Sequence, residues 1–220
     1  MHVAIIMNGN SRYALRRPAD HSKGVAALQT TVRLAAYAGI KTLTLYAICA
    51  PECAPADSEI DANLRVLGSY LSTGIQRYEG EPVRISLIGK REPLGTHLLR
   101  AIERRARPSA PRTRMHLRIV IDYSAHDSVV QSSWCSAHPR APETFAERLR
   151  EIDDTALPAG AVDLLIRTGG GKCRSDFLLW EVAYARLHYA DCLWPDFTAR
   201  DFQRALAYYG SCDRLGVKVS

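Results

Sequence analysis

With 220 residues, 47% of them hydrophobic, and a formal charge of +6, the chain has the length and apolar content of one folded domain over residues 1–220, not of a disordered or fibrous protein. The positive balance suits an anionic partner, whether phosphate, diphosphate, nucleic acid or an acidic membrane surface, without choosing among them. No apolar run approaches the roughly 20 residues needed to span a bilayer, and six scattered cysteines with no C-x-x-C pair and no leader before them predict a soluble cytoplasmic protein with reduced thiols.

Val3 to Met7 reads as a buried strand that runs into Asn8-Gly9-Asn10-Ser11-Arg12, a small polar turn delivering the chain into a helix. Gly24 to Ala38 is predicted helical because Val25, Leu28, Val32 and Ala35 share one face, with Gly39 as the C-terminal cap. After a second strand, Lys41 to Ile48, Ser58 and Asp61 resemble a capping box; it opens a helix striped by Ile60, Leu64, Leu67, Leu71 and Ile75. Further strands at Val83 to Ile88, Leu117 to Ile121 and Val162 to Arg167 alternate with helices predicted at Leu94 to Arg107, His126 to Cys135, Glu143 to Asp153, Asp176 to Ala185 and Ala199 to Leu215. Arg107 to Arg114 and Ser136 to Pro142 read as exposed loops. The alternation, without internal repeats, predicts an α/β fold with a mainly parallel sheet. In such sheets ligands gather where strands end and loops begin.

Two strand ends carry the right chemistry. After the first, backbone N–H groups around Gly9 can cradle an anion; Arg12 adds a forked phosphate donor, and Arg16, Arg17, His21 and Lys23 lie nearby. A strand followed by a glycine-containing turn is weak alone and is matched by an ordinary turn with a solvated basic helix. The second end is Asp163 to Gly171, then Lys172, Arg174 and Ser175 before Phe177-Leu178-Leu179-Trp180. Its three glycines let the backbone approach a ligand while Arg167, Lys172, Arg174 and Ser175 supply donors. Two such cradles point to two phosphorylated ligands.

His2 to Asn10 and Asp163 to Trp180 resemble the two signature regions of the cis-prenyltransferases, a family that includes undecaprenyl diphosphate synthase. Matches run nearly end to end: His21 with Gly24-Val25, Leu43 to Ala47, Ile88-Gly89, Tyr123, Val130-Gln131, Ala183-Tyr184-Ala185, and Leu193-Trp194-Pro195-Asp196-Phe197. The resemblance implies a single α/β domain with a mostly parallel six-stranded sheet, assembly as a homodimer, and an apolar tunnel for the isoprenoid chain. It puts an allylic diphosphate on the backbone of Gly9 and Asn10 with Arg12, Arg17 and His21, and a homoallylic diphosphate on Arg167 and Ser175. The family's arginine two residues before that serine is Cys173 here, and Arg174 is the neighbouring candidate.

The chain departs from the family at its acids. The family's magnesium ligand and principal catalytic carboxylate in the first motif is Asn8 here, and a later acidic ligand is Arg186. An amide and a guanidinium do not anchor a hard cation that prefers carboxylate oxygens. No cofactor or protein-held metal is therefore expected, and magnesium enters only if carried by the substrate diphosphate. Arg186 either takes over part of the metal's electrostatic role at the leaving group or marks a site released from that constraint; with Asn8 and Asn10 it completes the catalytic candidates. Cys49 to Cys53 replaces a polar loop that in the family reads Ser-x-Glu-Asn-Trp, and Asp122 to His126 replaces an Asn-Tyr-Gly-Gly-Arg segment.

These changes fit a specialised branch of isoprenoid and terpenoid metabolism acting on short allylic diphosphates by condensation, rearrangement or cyclisation. The rival is an inactive diphosphate-binding subunit that supports an active homologue in a heterodimer. Nucleic-acid binding would rest on Arg104, Arg105, Arg107, Arg112 and Arg114, which lack interleaved aromatics and read as a solvated face. Trp180 and Tyr184 read as core or tunnel wall. His97, His116, His126, His138 and His188 lack metal-ligand spacing, and Pro51 breaks the helical geometry that would pair Cys49 with Cys53.

Overall fold

The computed structural model describes residues 1–17, 21–49, 57–74, 83–89, 99–100, 115–134, 145, 147, 149, 161–171 and 177–214. In chain order these form β1 (His2–Ile6), α1 (Asn10–Arg16), α2 (Ser22–Tyr37), β2 (Thr42–Cys49), α3 (Asp57–Ser69), β3 (Val83–Gly89), β4 (Met115–Tyr123), α4 (Ala125–Trp134), β5 (Leu164–Arg167), β6 (Arg186–Tyr189) and α5 (Ala199–Arg214). A π-helical turn, Tyr70–Gly74, continues α3, and a 3₁₀ turn, Trp194–Asp196, precedes α5.

The strands pair in one parallel sheet of six, ordered β3-β4-β2-β1-β5-β6. From β1 the chain adds β2 beside it, then the edge strand β3, then β4 between those two, and finally crosses back to add β5 and β6 on the other side. The sheet therefore reverses direction between β1 and β5. At such a reversal the following connections diverge to opposite faces and leave a crevice at the carboxyl ends of the two strands.

Alternate side chains of the strands enter two separate cores. Val3, Ile5, Leu43, Leu45, Leu117 and Ile119 face α2 and α3, which contribute Leu28, Val32, Ala35, Val66 and Leu67. Ala4, Ile6, Tyr46, Ile88 and Val120 face the other way, against Phe177, Leu178 and Val182. The Tyr46 and Phe177 rings stack there with centroids 4.4 Å apart.

The five predicted strands and the helices at α2, α3, α4 and α5 stand within about two residues of expectation. Three local readings change. Residues 177–184 form bends and turns where a helix from Asp176 was expected: the Val182 N–H reaches the Leu178 carbonyl at 2.9 Å, but Ala183 and Ala185 bond back only three residues, and Leu178 has a positive φ of 45°. The segment spends Phe177, Leu178 and Val182 on plugging the sheet face, which leaves Trp180 and Tyr184 outside at 43% and 67% exposure instead of in the core. Ser58 lies inside α3 with its hydroxyl 3.2 Å from that of Ser11, so it links two helices and does not cap one. Strand β6 is four residues of mixed polarity, Arg-Leu-His-Tyr, and carries too little apolar periodicity to be read without its neighbour β5.

Leu99 and Arg100 are helical, as are Phe145, Glu147 and Leu149. The rest of those two predicted helices and both predicted loops, including the arginine cluster from Arg104 to Arg114, lie outside the described residues.

Candidate functional site

The crevice between β1 and β5 is lined by the turn after one strand and the glycine loop after the other. Gly9 adopts φ +108°, and a Cβ there would come 2.8 Å from the Leu193 side chain and 3.1 Å from its Cα. Only glycine fits this turn without strain. The turn points three consecutive N–H groups, those of Gly9, Asn10 and Ser11, at one place. All three donate to the Glu59 carboxylate of α3, at 3.0, 2.9 and 2.9 Å. The backbone around Gly9 and Asn10 is thus a three-amide anion cradle, and the anion seated in it is the chain's own side chain.

One turn along α3 from Glu59, Asn63 completes the grip. Its Oδ1 accepts from Asn10 Nδ2 at 2.6 Å and its Nδ2 donates to the Ala47 carbonyl at 2.6 Å. Ala47 sits where β2 slips register against β4, between Tyr46 and Ile48; a bulge leaves one residue outside the ladder, so its carbonyl is available. Asn10 is buried, and its amide also reaches the Met7 carbonyl at 3.4 Å. It ties the turn to α3 and does not line the crevice. Neither Glu59 nor Asn63 was read from the sequence as a site residue. Their signal was an i, i+4 polar pair flanking the apolar stripe of Ile60 and Leu64.

On the β5 side, Thr168 is fully buried, and its hydroxyl donates to the carbonyls of Asn8 and Ile6 at 2.9 and 3.2 Å, clamping the two strand ends together. Trp194 N–H donates to the Asn8 carbonyl at 3.0 Å, and Gly169 N–H to that of Cys192 at 2.8 Å. The exposed Arg12 reaches across the crevice and donates from Nη2 to the Gly169 carbonyl at 2.7 Å. Arg167 lies over the same loop: a Cβ on Gly171 would come 3.1 Å from its Nη2. Asn8, Gly9, Arg12 and Arg167 are therefore brought together at one sheet edge.

Arg17 closes α1, exposed, with its backbone N–H on the Tyr13 carbonyl at 3.0 Å. His21 is half-buried at the start of α2, and its Nε2 is buried with no hydrogen-bond partner among the described residues. Arg174 and Ser175, with Lys172 and Cys173, lie outside the described residues. Burial, then the Asp201 charge, pushes the Cys192 thiol up to about 11, so it stays protonated and is no nucleophile at neutral pH.

Arg186 does not join this group within the chain. It opens β6 level with Leu164 and Val3, three residues and roughly 10 Å back from the level of Ile6 and Arg167, and β5 separates it from β1. Its guanidinium lies 5.0 Å from the centre of the Tyr209 ring of α5. A motif match could place Arg186 in the sequence but not at an end of the sheet, because the direction and register of β6 were unknown.

Asn8 offers an amide where a hard cation prefers carboxylates, and both oxygens of Glu59 are engaged by backbone N–H groups. Among the described residues no three His, Cys, Asp or Glu side chains converge.

The comparisons with known proteins agree with this architecture. Residues 6–216 match the prenyltransferase family described as undecaprenyl diphosphate synthase. Isoprenyl transferase 1 of Bradyrhizobium diazoefficiens is 37% identical over 98% of this chain and 89% of its own length, and the isoprenyl transferase of Geobacillus kaustophilus is 34% identical over 97% and 86%. The crystal structure of lavandulyl diphosphate synthase from Lavandula x intermedia, in complex with dimethylallyl diphosphate, superposes with a TM-score of 0.81 at 25% identity, covering 94% of each chain. With the β1 turn and the β5 glycine loop facing each other across the crevice, these matches make the chain a member of the undecaprenyl diphosphate synthase family of prenyltransferases.

Proposed function

We propose that this chain binds an allylic diphosphate of short chain length in the β1–β5 crevice and transfers its prenyl group, in specialised isoprenoid metabolism. The observation that carries this reading is the convergence of Arg12 and Arg167 on one glycine loop beside a three-amide cradle. Arginine matches the geometry and charge of phosphate without a metal, and backbone N–H groups at a turn bind anions without side-chain cost. The lavandulyl relative, solved with dimethylallyl diphosphate, supports the short substrate.

In this reading the allylic C1–O bond breaks with its electron pair leaving on the diphosphate, whose growing charge Arg12 and Arg167 stabilise. The alkene of an isoprenyl acceptor donates its π electrons to the allylic carbon, forming the new C–C bond. The resulting cation loses a proton to the departed diphosphate or closes a ring first. Any magnesium arrives on the substrate, since Asn8 gives it no carboxylate. Arg17 and His21 complete the allylic head-group site, and the family resemblance assigns Ser175, with Arg174 as its neighbouring candidate, to the second head group. The chain works as a dimer, and the exposed Trp180, Tyr184 and Tyr189 before and along edge strand β6 support this.

The second reading, an inactive subunit paired with an active homologue, is favoured by Asn8 and by the place of Arg186 on the far edge of the sheet. One assay separates the two. The purified protein is incubated with dimethylallyl, geranyl or farnesyl diphosphate, with and without isopentenyl diphosphate, in magnesium or chelator, while released diphosphate and organic products are followed. Turnover by the chain alone is expected; turnover only with a co-expressed homologue would transfer the conclusion to the subunit reading.

A further inference from the structure

We infer that Glu59 is an internal latch on the head-group site: its carboxylate occupies the amides that the diphosphate needs, and it must withdraw before the ligand can seat. The inference rests on the head-group reading above and adds a residue and a step to it. The N–H groups of Gly9, Asn10 and Ser11 can serve one anion at a time, and Glu59 now takes all three through both of its oxygens. These are charge-assisted bonds, about twice as strong as neutral ones, so the competition is unequal for a ligand with few other contacts.

The rest of the crevice is drawn in consistently. Arg12, which would grip phosphate, is spent on the Gly169 carbonyl at 2.7 Å, and Arg167 lies folded over Gly171. The latch has a fixed pivot and a loose end. Asn63, one helical turn deeper, is buried and held by Asn10 and Ala47 at 2.6 Å each. Glu59 is only half-buried, and its neighbour Ser58 is exposed. The outer turn of α3 can therefore carry the carboxylate away while Asn63 keeps the helix on the turn.

A latched site selects its ligand. Inorganic phosphate or a carboxylate offers little more than Glu59 does, whereas a diphosphate brings a second phosphoryl group to recruit Arg12 and Arg167 once the amides are released. If the latch is closed about nine-tenths of the time, apparent affinity is lowered about tenfold.

The test is calorimetric titration of inorganic pyrophosphate, without metal, into wild-type protein, Glu59→Gln and Glu59→Ala, each with and without Arg12→Ala. The expected result is about tenfold tighter binding by both Glu59 variants, lost again when Arg12 is removed. Equal or weaker binding by the Glu59 variants, with wild type still binding, overturns the latch and leaves the head-group reading intact. Binding of pyrophosphate by none of them overturns the head-group reading itself. Should the variants fail to fold, NMR of the wild-type chain decides: pyrophosphate should shift the Glu59 carboxyl resonance together with the amides of Gly9 to Ser11. Amide shifts with an unmoved Glu59 carboxyl would refute the latch.

Discussion

In the proposed function, head-group binding depends most directly on Arg12 and Arg167, which meet at the glycine loop after β5. Replacing either with alanine removes charge-assisted donors to phosphate, and pyrophosphate affinity is expected to fall about 10- to 100-fold by calorimetry; an unchanged affinity in both would place the anion elsewhere. Gly9 is constrained in a different way. Gly9→Ala combines a φ of +108° with collision against Leu193, and a loss of about 2 to 4 kcal/mol in chemical denaturation is expected. His116 tests the core. Burial, and next the Arg118 charge, lower it to about 4, and its Nε2 pairs with the Ser86 hydroxyl at 2.7 Å. Because the folded state resists protonation that the unfolded chain accepts, the unfolded state binds more protons between the ordinary value of 6.5 and about 4. Stability therefore falls as pH drops through that window, by up to about 3 kcal/mol from this group. Urea denaturation midpoints of wild type and His116→Gln across this range should converge towards acid pH; parallel curves would remove His116 as the cause.

Helix α3 shows how an element carries a site beyond its own apolar face. Its stripe, including Ile60, Leu64, Leu67 and Leu71, packs the sheet and was legible from period alone. Its polar flank, Glu59 and Asn63, holds the β1–α1 turn, and that role depends on where the helix lands. Asn63→Ala would leave the Asn10 amide and the Ala47 carbonyl short of a partner in buried surroundings. A cost of about 2 to 4 kcal/mol is expected from denaturation; a change below about 0.5 kcal/mol would mean that the turn does not depend on α3. Residues 177–184 show the opposite case. Their apolar content read as a helix, yet those side chains fill the sheet face between Tyr46 and β5, and burial there outweighs helical propensity.

At the scale of the molecule, sheet order decides what meets what. Because β5 crosses back beside β1, Thr168 can bind the Asn8 carbonyl across 160 positions of sequence, and the two motifs become one crevice. The same order sends Arg186 to the far end of an edge strand. Arg186→Ala is accordingly expected to leave pyrophosphate affinity within about twofold, since within the chain it lies level with Leu164, three residues back from Arg167 and the glycine loop. A larger loss would show that a second copy lends its β6 edge to the site.

From residues alone came the α/β alternation, five of the six strands and the two basic, glycine-bearing strand ends, because buried strands and amphipathic helices write their period into the sequence. The resemblance of those two ends to a known family added six strands and named diphosphates as ligands. Tertiary structure alone decided that Glu59 sits in the Gly9 cradle, that Asn10 is a strut, and that Arg186 stands apart. Each of these depends on register and on contacts between residues dozens of positions apart, for which a linear pattern holds no coordinate.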